Sequence, residues 1–454
     1  MFRQSLRLAI LILIVVTPAA LMAEPGALLT NAGWVELGTG SASGGGISNI
    51  GSPYPTWPSL AVDSERLPVI AWQDGYYFHE IFVRRWNGTA WVEMGAGSGT
   101  GGGISHNDTD SDKPSLAIGP DDRPIVAWED GENESKPEIF VRRWNGTAWV
   151  EMGQNSATLG GISNTATGSG MPSRAIGADG TPIVAWVEGE VEWEPNEIYV
   201  RRWNGSTWVE LGEGSASGGG ISNTAAGSSW PSLAIGDDGA PIIAWTEIDL
   251  NESGEIFVRR WNGASWAELG AGSATGGGIS NTAGHSRVPF LAIGGDGAPI
   301  VAWEGQNEIF IRRWNGTAWV EIGAGSASGG GISHTTIASW APALAMDDDG
   351  APVVAWFDGG STKAEIYVRR WNGTAWVVAS PGSAAGGGVS ETLGYSAEPS
   401  LAVGLNGAPI VAWSEARHLE GHWAFVRYWP LRTHRVYSPL SLSPQFPPAR
   451  SAAR

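Results

Sequence analysis

Two short stretches of the sequence carry residue types that could bind a metal ion. Carboxylates alternate with hydroxyl residues, which is the spacing of a calcium-binding loop, at Asp108, Asp110 and Asp112. Lys113 stands where such a loop needs glycine, and no glutamate follows at the required distance. His418 and His422 have the i, i+4 spacing of zinc ligands on a helix, but Gly421 lies between them and we expect a loop there. We therefore predict no cofactor, and calcium is the one alternative that the pattern leaves open.

Tryptophan is the second residue type that could carry a function, because the chain contains 26 of them. An exposed indole ring can bind the apolar face of a sugar, whereas a buried ring stabilises a core. Most of the tryptophans occupy three fixed places in a repeated unit, so we interpret them as core residues between units. Three further tryptophans come just before a proline at the start of a unit, and we select them as candidate ligand-binding residues. They are Trp57, Trp230 and Trp340.

A glycine-rich segment followed by Ile-Ser-Asn also recurs along the chain. Its serine and asparagine side chains are further candidate ligand-binding residues, namely Ser48, Asn49, Ser222, Asn223, Ser280 and Asn281. Two interpretations remain open. The side chains either hydrogen-bond the local backbone and hold one loop conformation, or the hydroxyl and amide groups form a repeated glycan-binding site.

Pairs of arginines recur as well, from Arg84-Arg85 to Arg369-Arg370. Arginine forks are well suited to binding a substrate carboxylate. The pair stands at the same place in each of the first six units, however, and neighbouring residues of a strand face opposite sides. We therefore interpret the pairs as structural ion pairs, with repeated glutamates such as Glu93 as their partners.

The whole chain is organised by one repeat. The tryptophan of Arg-Arg-Trp-Asn-Gly recurs every 53 to 59 residues, and a degraded copy ends at Trp429. Each unit contains four runs of β-branched and aromatic residues that are bounded by Gly, Asn or Asp. Repeats of this length and composition predict an all-β, seven-bladed β-propeller of four-stranded antiparallel blades. The last unit lacks its fourth strand, and Trp34–Gly38 resembles that strand, so we expect the N-terminal strand to complete the last blade and close the ring.

The ends of the chain and its composition place further limits on function. Residues 1–23 have the basic start and short apolar run of a signal peptide, 24–33 form a linker, 34–429 the propeller, and the Pro- and Ser-rich tail 430–454 is expected to be disordered. We thus expect a secreted, periplasmic or extracellular protein without a membrane span after signal cleavage. The net charge of −19 disfavours nucleic acid as a partner. The chain has no Cys, so no disulfide can form, and we expect a monomer.

The blade sequence resembles those of secreted bacterial β-propellers. The resemblance covers residues 34–429 and is carried by Leu-Ala-Ile-Gly-x-Asp-Gly-x-Pro-Ile-Val-Ala-Trp and Arg-Arg-Trp-Asn-Gly-x-x-Trp. The Asp-x-Gly turn at Asp237 and Gly239 is also similar to the Asp-box of the sialidase superfamily, although the threonine of that motif is missing and the tryptophan comes too late. Bacterial lectin propellers offer a second resemblance. The resemblance to the sialidase superfamily implies a hydrolase, and the resemblance to the lectin propellers implies glycan binding.

The sequence therefore leaves three functions open. We favour an exported binding protein that recognises a carbohydrate or a cell-surface protein partner through the face formed by the 2–3 loops and the 4–1 crossovers, where the units vary most. A sialidase-like glycoside hydrolase with a site in the central funnel is the first alternative, and a structural scaffold without a small ligand is the second. No nucleophile motif, Walker loop or dinucleotide fingerprint is present. No catalytic residue is therefore assigned, and a non-enzymatic role is favoured.

Overall fold

The computed structural model describes residues 33–48, 54, 56–131, 136–189, 196–248, 253–282, 284–335, 337–360, 363–392, 394–417 and 421–430. The predicted signal peptide, the linker before Gly33 and the tail after Pro430 lie outside the described residues. No helix within these described ranges has the length and apolar character needed to cross a bilayer.

The strands follow one another in groups of four. The N-terminal strand is β1 (Val35–Glu36). Blade 1 contains β2 (Ser59–Val62), β3 (Pro68–Asp74), β4 (Glu80–Trp86) and β5 (Trp91–Glu93). Blade 2 contains β6 (Asp110–Ile118), β7 (Pro124–Gly131), β8 (Glu138–Trp144) and β9 (Trp149–Glu151). Blade 3 contains β10 (Ser169–Ile176), β11 (Pro182–Glu188), β12 (Glu197–Trp203) and β13 (Trp208–Glu210).

The remaining blades repeat this order. Blade 4 contains β14 (Gly227–Ile235), β15 (Pro241–Ile248), β16 (Gly254–Trp261) and β17 (Trp266–Glu268). Blade 5 contains β18 (Ser286–Ile293), β19 (Pro299–Gly305), β20 (Glu308–Trp314) and β21 (Trp319–Glu321). Blade 6 contains β22 (Ser339–Met346), β23 (Pro352–Gly360), β24 (Lys363–Trp371) and β25 (Trp376–Val378). Blade 7 contains β26 (Tyr395–Val403), a 3-10 turn (Leu405–Gly407), β27 (Pro409–Arg417) and β28 (Gly421–Tyr428).

Every blade is an antiparallel sheet whose strands pair in chain order. Blades 6 and 7 belong to one eight-stranded sheet, but a single parallel residue pair, Ala364 with Tyr395, joins them. The all-β architecture of repeated four-stranded blades, predicted from the period and the turn residues, is confirmed, and the chain folds as a β-propeller.

The first and last strands of the chain lie in the same blade. Strand β1 pairs with β28, with Val35 opposite Tyr428 and Glu36 opposite Arg427, as the orphan strand in the sequence predicted. Strand β2 of blade 1 also contacts β26 of blade 7, and the Leu60 amide donates a 2.9 Å hydrogen bond to Ser400 Oγ. The same bond, from the Leu116 amide to a serine of β2, joins blades 1 and 2. Blades 7 and 1 therefore share the hydrogen bond that also joins blades 1 and 2.

The core lies between blades, and tryptophan dominates it. The tryptophan of each second strand is fully buried, at Trp72, Trp128, Trp186, Trp245, Trp303, Trp356 and Trp413. The tryptophans of strands three and four are half-buried and pair with each other, as in Trp86 and Trp91, whose ring centres lie 5.9 Å apart. The indole of Trp91 also donates a 2.8 Å hydrogen bond to the carbonyl of Leu37 next to β1. The interpretation of these tryptophans as core thus holds fully for the second strand and partly for the other two places.

Candidate functional site

A β-bulge shapes the innermost strand of the blades. In blades 2 to 7 the register between the first and second strands shifts at the residue before a proline. That residue has a left-handed backbone, and so does Trp57 at the same place in blade 1, before strand β2 begins. The φ angles lie between 41° and 54° at Trp57, Lys113, Met171, Trp230, Val288, Ala341 and Glu398. A bulge bends its strand and redirects a side chain. We call these seven residues the bulge residues.

The bulge residues of blades 1 and 4 meet across the axis of the propeller. The rings of Trp57 and Trp230 stack with their centres 6.5 Å apart and their planes at 29°. Because these two blades are not neighbours, the contact places the bulge side chains around the central axis. Trp340 does not belong to this set, because Ala341 occupies the bulge of blade 6. Trp340 lies one residue earlier and is 38% exposed.

A cleft of about 710 Å³ opens beside the stacked pair. Its walls come from blades 1 to 4, and Trp57 and Trp230 form part of them. The cleft lies where the 2–3 loops and the crossovers meet, since His79 and Asn196 end 2–3 loops and Ser169 and Ser229 follow crossovers. The face predicted to carry the function therefore contains a cavity that includes two of the three candidate tryptophans.

Ion pairs and hydrogen bonds organise the polar wall of the cleft. Lys113 Nζ lies 2.8 Å from Glu129 Oε1, and the Lys113 amide donates a 2.6 Å hydrogen bond to Gln73 Oε1. The other oxygen of Glu129 accepts a 2.9 Å hydrogen bond from the Met171 amide. The side chain directly after the buried tryptophan of one blade thus accepts a hydrogen bond from the backbone amide of the bulge residue in the next blade. This wall is held by these contacts and carries both positive and negative charge.

A histidine connects the wall to the 2–3 loop of blade 1. His79 Nδ1 lies 2.8 Å from Asp112 Oδ1, and the His79 amide donates a 2.9 Å hydrogen bond to Asp110. Burial lowers the pKa of His79, but the hydrogen bond with Asp112 and the neighbouring carboxylates outweigh this effect, so its pKa is raised. Burial also raises the pKa of the nearby Asp74 to about 7. The edge of the cleft therefore contains a histidine whose protonated form is favoured by the neighbouring carboxylates.

Two polar atoms of cleft-lining residues have neither a hydrogen-bond nor an ion-pair partner in the part of the chain that the structure describes. They are Ser229 Oγ and Asn196 Oδ1, and both atoms are buried. An unpaired buried polar atom is costly, and water or a ligand hydroxyl normally satisfies it. The cleft therefore has hydrogen-bonding capacity that the protein itself does not use.

The crossover serines that the sequence suggested as ligand contacts face inward. Ser48, Ser222 and Ser280 are buried. The hydroxyl of Ser222 donates to Glu197 and accepts a 2.8 Å hydrogen bond from the Ile198 amide, and Ser280 makes the equivalent bonds in blade 4. These hydroxyls are used by the fold, so the structure favours the first of the two interpretations for serine.

The crossover asparagines lie at the surface. Asn223 and Asn281 are exposed, and each has a left-handed backbone, with φ of 47° and 46°. Their backbone amides donate hydrogen bonds of 2.7 Å to the carbonyls of Gly219 and Gly277. Asn49 lies outside the described residues. The structure does not bring the asparagines to the cleft.

The three aspartates of the suggested calcium loop do not lie in one loop, because a strand begins among them. Strand β6 begins at Asp110, so Asp110 and Asp112 lie on extended backbone and both face His79. Asp108 is exposed in the preceding loop. No three His, Asp or Glu side chains of the described ranges are grouped so that they could hold a metal ion. Asp110 and Asp112 therefore lie along a strand beside His79 and do not form a loop.

Two further acidic residues, Glu304 of blade 5 and Glu398 of blade 7, influence each other near the axis. Glu398 is the bulge residue of blade 7, and Glu304 accepts a 2.8 Å hydrogen bond from the Ala341 amide. Burial and the charge of Glu304 raise the pKa of Glu398 to about 7. Burial also raises the pKa of Glu304, although the Ala341 amide and Arg287 oppose this. These carboxylates are not part of the cleft.

The opposite face of the propeller carries shallow concavities between neighbouring blades. One of about 500 Å³ is lined by Asp238, Arg260, Asp296 and Arg313. These charges are already matched, because each arginine pairs with the aspartate of the 1–2 turn in its own blade, Arg260 with Asp238 and Arg313 with Asp296. Both arginines that line this concavity are therefore already paired within their own blades.

Sequence reasoning missed most of the polar residues of the cleft. His79, Gln73, Glu129, Asn196 and Ser229 come from four blades and are brought together only by the closure of the blades around the axis. One pattern could have found Gln73 and Glu129: the position directly after the buried tryptophan varies between units, while the surrounding strand does not. Variation at a single place in a repeat indicates a place where the units differ in role.

Comparisons with known proteins do not show a family for the chain. No family model matches the sequence, and no curated protein matches it. A Hadza microbial sialidase is 14% identical, with a TM-score of 0.46 over 80% of this chain and 74% of that chain. An ulvan lyase is 11% identical, with a TM-score of 0.49 over 83% and 93%. An α-L-arabinanase from Penicillium chrysogenum, in complex with arabinobiose, is 15% identical, with a TM-score of 0.43 over 70% and 92%. At these values the chain's own residues must carry any inference about function.

Proposed function

We propose that this propeller is a carbohydrate-binding protein and that the cleft between blades 1 and 4 is its binding site. The observation that carries the proposal is the stacked pair of Trp57 and Trp230 in the wall of a polar cleft. Sugars have apolar ring faces and many hydroxyl groups, so they bind best where aromatic rings and hydrogen-bonding groups stand together. The cleft combines the two.

Each polar group of the cleft has a defined role in this proposal. The ion pair of Lys113 and Glu129 and the pair of His79 and Asp112 are rigid donors and acceptors for sugar hydroxyls. Ser229 and Asn196 supply the capacity that the protein leaves unused. The tryptophans exclude water from the bound face, which strengthens these hydrogen bonds.

Substitution of the stacked tryptophans tests the proposal directly. Trp57→Ala and Trp230→Ala should each weaken binding in a glycan array and in titration calorimetry, by about tenfold or more, because each removes part of the aromatic wall. Trp340→Ala is the matched control, since Trp340 is also partly exposed but lies outside the cleft, and it should bind like the parent.

A milder change separates binding from folding. Ser229→Ala removes one hydroxyl and leaves the packing of Trp230 in place, so it should weaken binding without lowering the melting temperature. An array on which the parent protein binds no glycan would contradict the proposal. An equal loss in the Trp340 variant would show that the effect is not specific to the cleft.

Glycoside hydrolysis is the alternative that a specific observation favours, because three carboxylates, Asp110, Asp112 and Glu129, line the cleft. A hydrolase needs two carboxyl groups roughly 5–10 Å apart, one of them free to donate a proton. Glu129 and Asp112 are engaged by Lys113 and His79, and binding is therefore the better-supported function. Release of reducing sugar from a bound glycan, lost in Glu129→Gln, would favour the hydrolase instead.

Export is the second part of the proposal. It is supported by the basic start and the apolar run of residues 1–23. The mature protein recovered from the culture medium or the periplasm should begin at Glu24 when its N-terminus is sequenced. Recovery of the intact chain, beginning at Met1, from the cytoplasm would contradict it.

A further inference from the structure

Four aromatic side chains at the edge of the cleft are exposed to solvent. Tyr76, Tyr77 and Phe78 in the 2–3 loop of blade 1 are 70%, 86% and 47% exposed, and Tyr54 is 52% exposed. We call these four residues the aromatic rim. Tyr76 to Phe78 is the only run of consecutive exposed large apolar residues in the described ranges. Contiguous exposed aromatic surface commonly marks a binding site.

The aromatic rim is continuous with the cleft. Tyr54 packs edge-on against His79, with ring centres 4.9 Å apart, and both residues line the cleft. Phe78 directly precedes His79 in the chain. Tyr76 and Tyr77 contact each other at 5.1 Å between ring centres. A molecule that fills the cleft and extends past His79 would therefore meet these rings next.

The charges of the cleft indicate which sugars it can take. Asp110, Asp112 and Glu129 oppose one lysine and one histidine, and none of the described residues that line the cleft is an arginine. The chain as a whole has a net charge of −19. A sugar carboxylate entering this site would lose hydration without finding a free cation, which is unfavourable. The site suits uncharged sugars.

We infer that the natural ligand is an uncharged polysaccharide, bound with part of its chain in the cleft and further sugar units stacked on the aromatic rim. This inference rests on the proposed function and adds to it the polymeric and uncharged nature of the ligand. The rings of Tyr76, Tyr77 and Phe78 are too exposed to contribute to the core. A chain ligand gains affinity from each additional ring that it covers.

Titration calorimetry with neutral oligosaccharide ladders tests the inference. The probes are cello-, xylo- and manno-oligosaccharides from the disaccharide to the hexasaccharide. Within the ladder that binds, Kd should fall by about tenfold or more with length. The double variant Tyr76→Ala and Tyr77→Ala should lose that gain and keep the affinity of the parent for the disaccharide.

Two controls complete the design. Leu159→Ala removes an apolar side chain that is 82% exposed on a crossover away from the cleft, and it should keep the length dependence of the parent. An oligogalacturonate of matched length should bind more weakly than the neutral ladder in low salt. Length dependence that survives in the double variant, or tighter binding of the uronate, would overturn the inference and leave the cleft proposal standing. Failure of every ladder and of the uronate to bind would overturn both.

Discussion

The bulge position on the first strand decides which side chains surround the axis of the propeller. The left-handed backbone is the same in every blade, but the side chain differs, from the aromatic Trp57 and Trp230 to Lys113, Val288 and Glu398. Bulges re-aim side chains without disturbing the rest of a strand. This one position therefore differs chemically around the axis. Its side chain is aromatic in blades 1 and 4, basic in blade 2 and acidic in blade 7.

The acidic residue at this position predicts a pH dependence of stability. The pKa of Glu398 rises from 4.5 to about 7 on folding. The folded protein therefore binds this proton more tightly than the unfolded chain, and the contribution of Glu398 to stability is lost as pH rises from 4.5 towards 7. Glu398→Gln should match the parent near pH 4.5 and exceed its free energy of unfolding by up to about 3 kcal/mol at about pH 8.

Urea unfolding of both proteins at the two pH values measures this difference. Glu65→Gln is the matched control, because the Glu65 side chain is 73% exposed, and it should change stability little at either pH. A stabilisation by Glu398→Gln that is the same at both pH values would contradict the assignment of the effect to ionisation.

At the residue scale, the sequence predicted the tryptophans of the site better than its polar groups. Trp57 and Trp230 were recognisable because they are surplus to the repeat and stand before the innermost strand. Trp340 was chosen by the same reasoning, but the bulge residue of blade 6 is Ala341, and Trp340 does not line the cleft. The partners of the cleft depend on which blades face each other across the axis, and no local pattern contains that information.

The crossover is the element that joins each blade to the next. Its serine hydrogen-bonds two groups at the start of the third strand, and we call this contact the serine latch. In blade 3, Ser222 holds both the Glu197 carboxylate and the Ile198 amide at the start of strand β12. Burial raises the pKa of this carboxylate, against the effect of the serine hydrogen bond. The uniformity of the crossover therefore reflects a repeated structural contact.

Removal of one serine latch should affect stability and leave binding unchanged. Ser222→Ala leaves the Ile198 amide and the Glu197 carboxylate without this partner, which should cost about 1–3 kcal/mol in the free energy of unfolding. Ser206→Ala, in the exposed 3–4 turn of the same blade, is the control and should cost less than about 0.5 kcal/mol. Loss of glycan binding in Ser222→Ala at unchanged stability would instead return this serine to the binding site.

The arginine pairs show where element-scale prediction was incomplete. The fourth-strand glutamate does lie opposite the first arginine, as Glu93 does opposite Arg84, but the hydrogen bonds of both arginines go to other groups. The sequence suggested glutamates of the fourth strand as partners, but the second arginine of the pair bonds the aspartate of the 1–2 turn, as Arg85 does with Asp63 at 2.6 Å. The first arginine donates to the crossover of the preceding unit, as Arg84 does to the Ile47 carbonyl at 2.7 Å. The alternation of side chains along a strand correctly predicted different surroundings for the two arginines. It could not predict that a 1–2 turn binds one arginine and a crossover binds the other.

At the scale of the whole molecule, the repeat alone was sufficient for the architecture. The period, the turn residues and the orphan strand each predict antiparallel blades, and the pairing of Val35 with Tyr428 agrees with them. Each blade buries its tryptophan against the next one, so a blade without a neighbour would expose its core. The position of the N-terminal strand in blade 7 is therefore expected to couple the two ends of the chain.

A pair of deletions tests this coupling. Deletion of residues 24–40 removes β1 and the Leu37 carbonyl that binds Trp91, and it should cost on the order of several kcal/mol and broaden the thermal transition. Deletion of residues 24–32 leaves β1 in place and should melt like the mature protein. If the longer deletion unfolded with the same midpoint and cooperativity as the shorter one, the N-terminal strand would have no role in holding the propeller together.

The central claim is that the cleft of blades 1 to 4 holds a carbohydrate, and a crystal structure of the mature protein with a neutral oligosaccharide tests it most directly. We expect the sugar to contact the rings of Trp57 and Trp230, to bond the polar atoms of Ser229 or Asn196, and to continue towards Tyr76. A sugar bound only in the concavities of the opposite face, with the cleft filled by water, would contradict the claim.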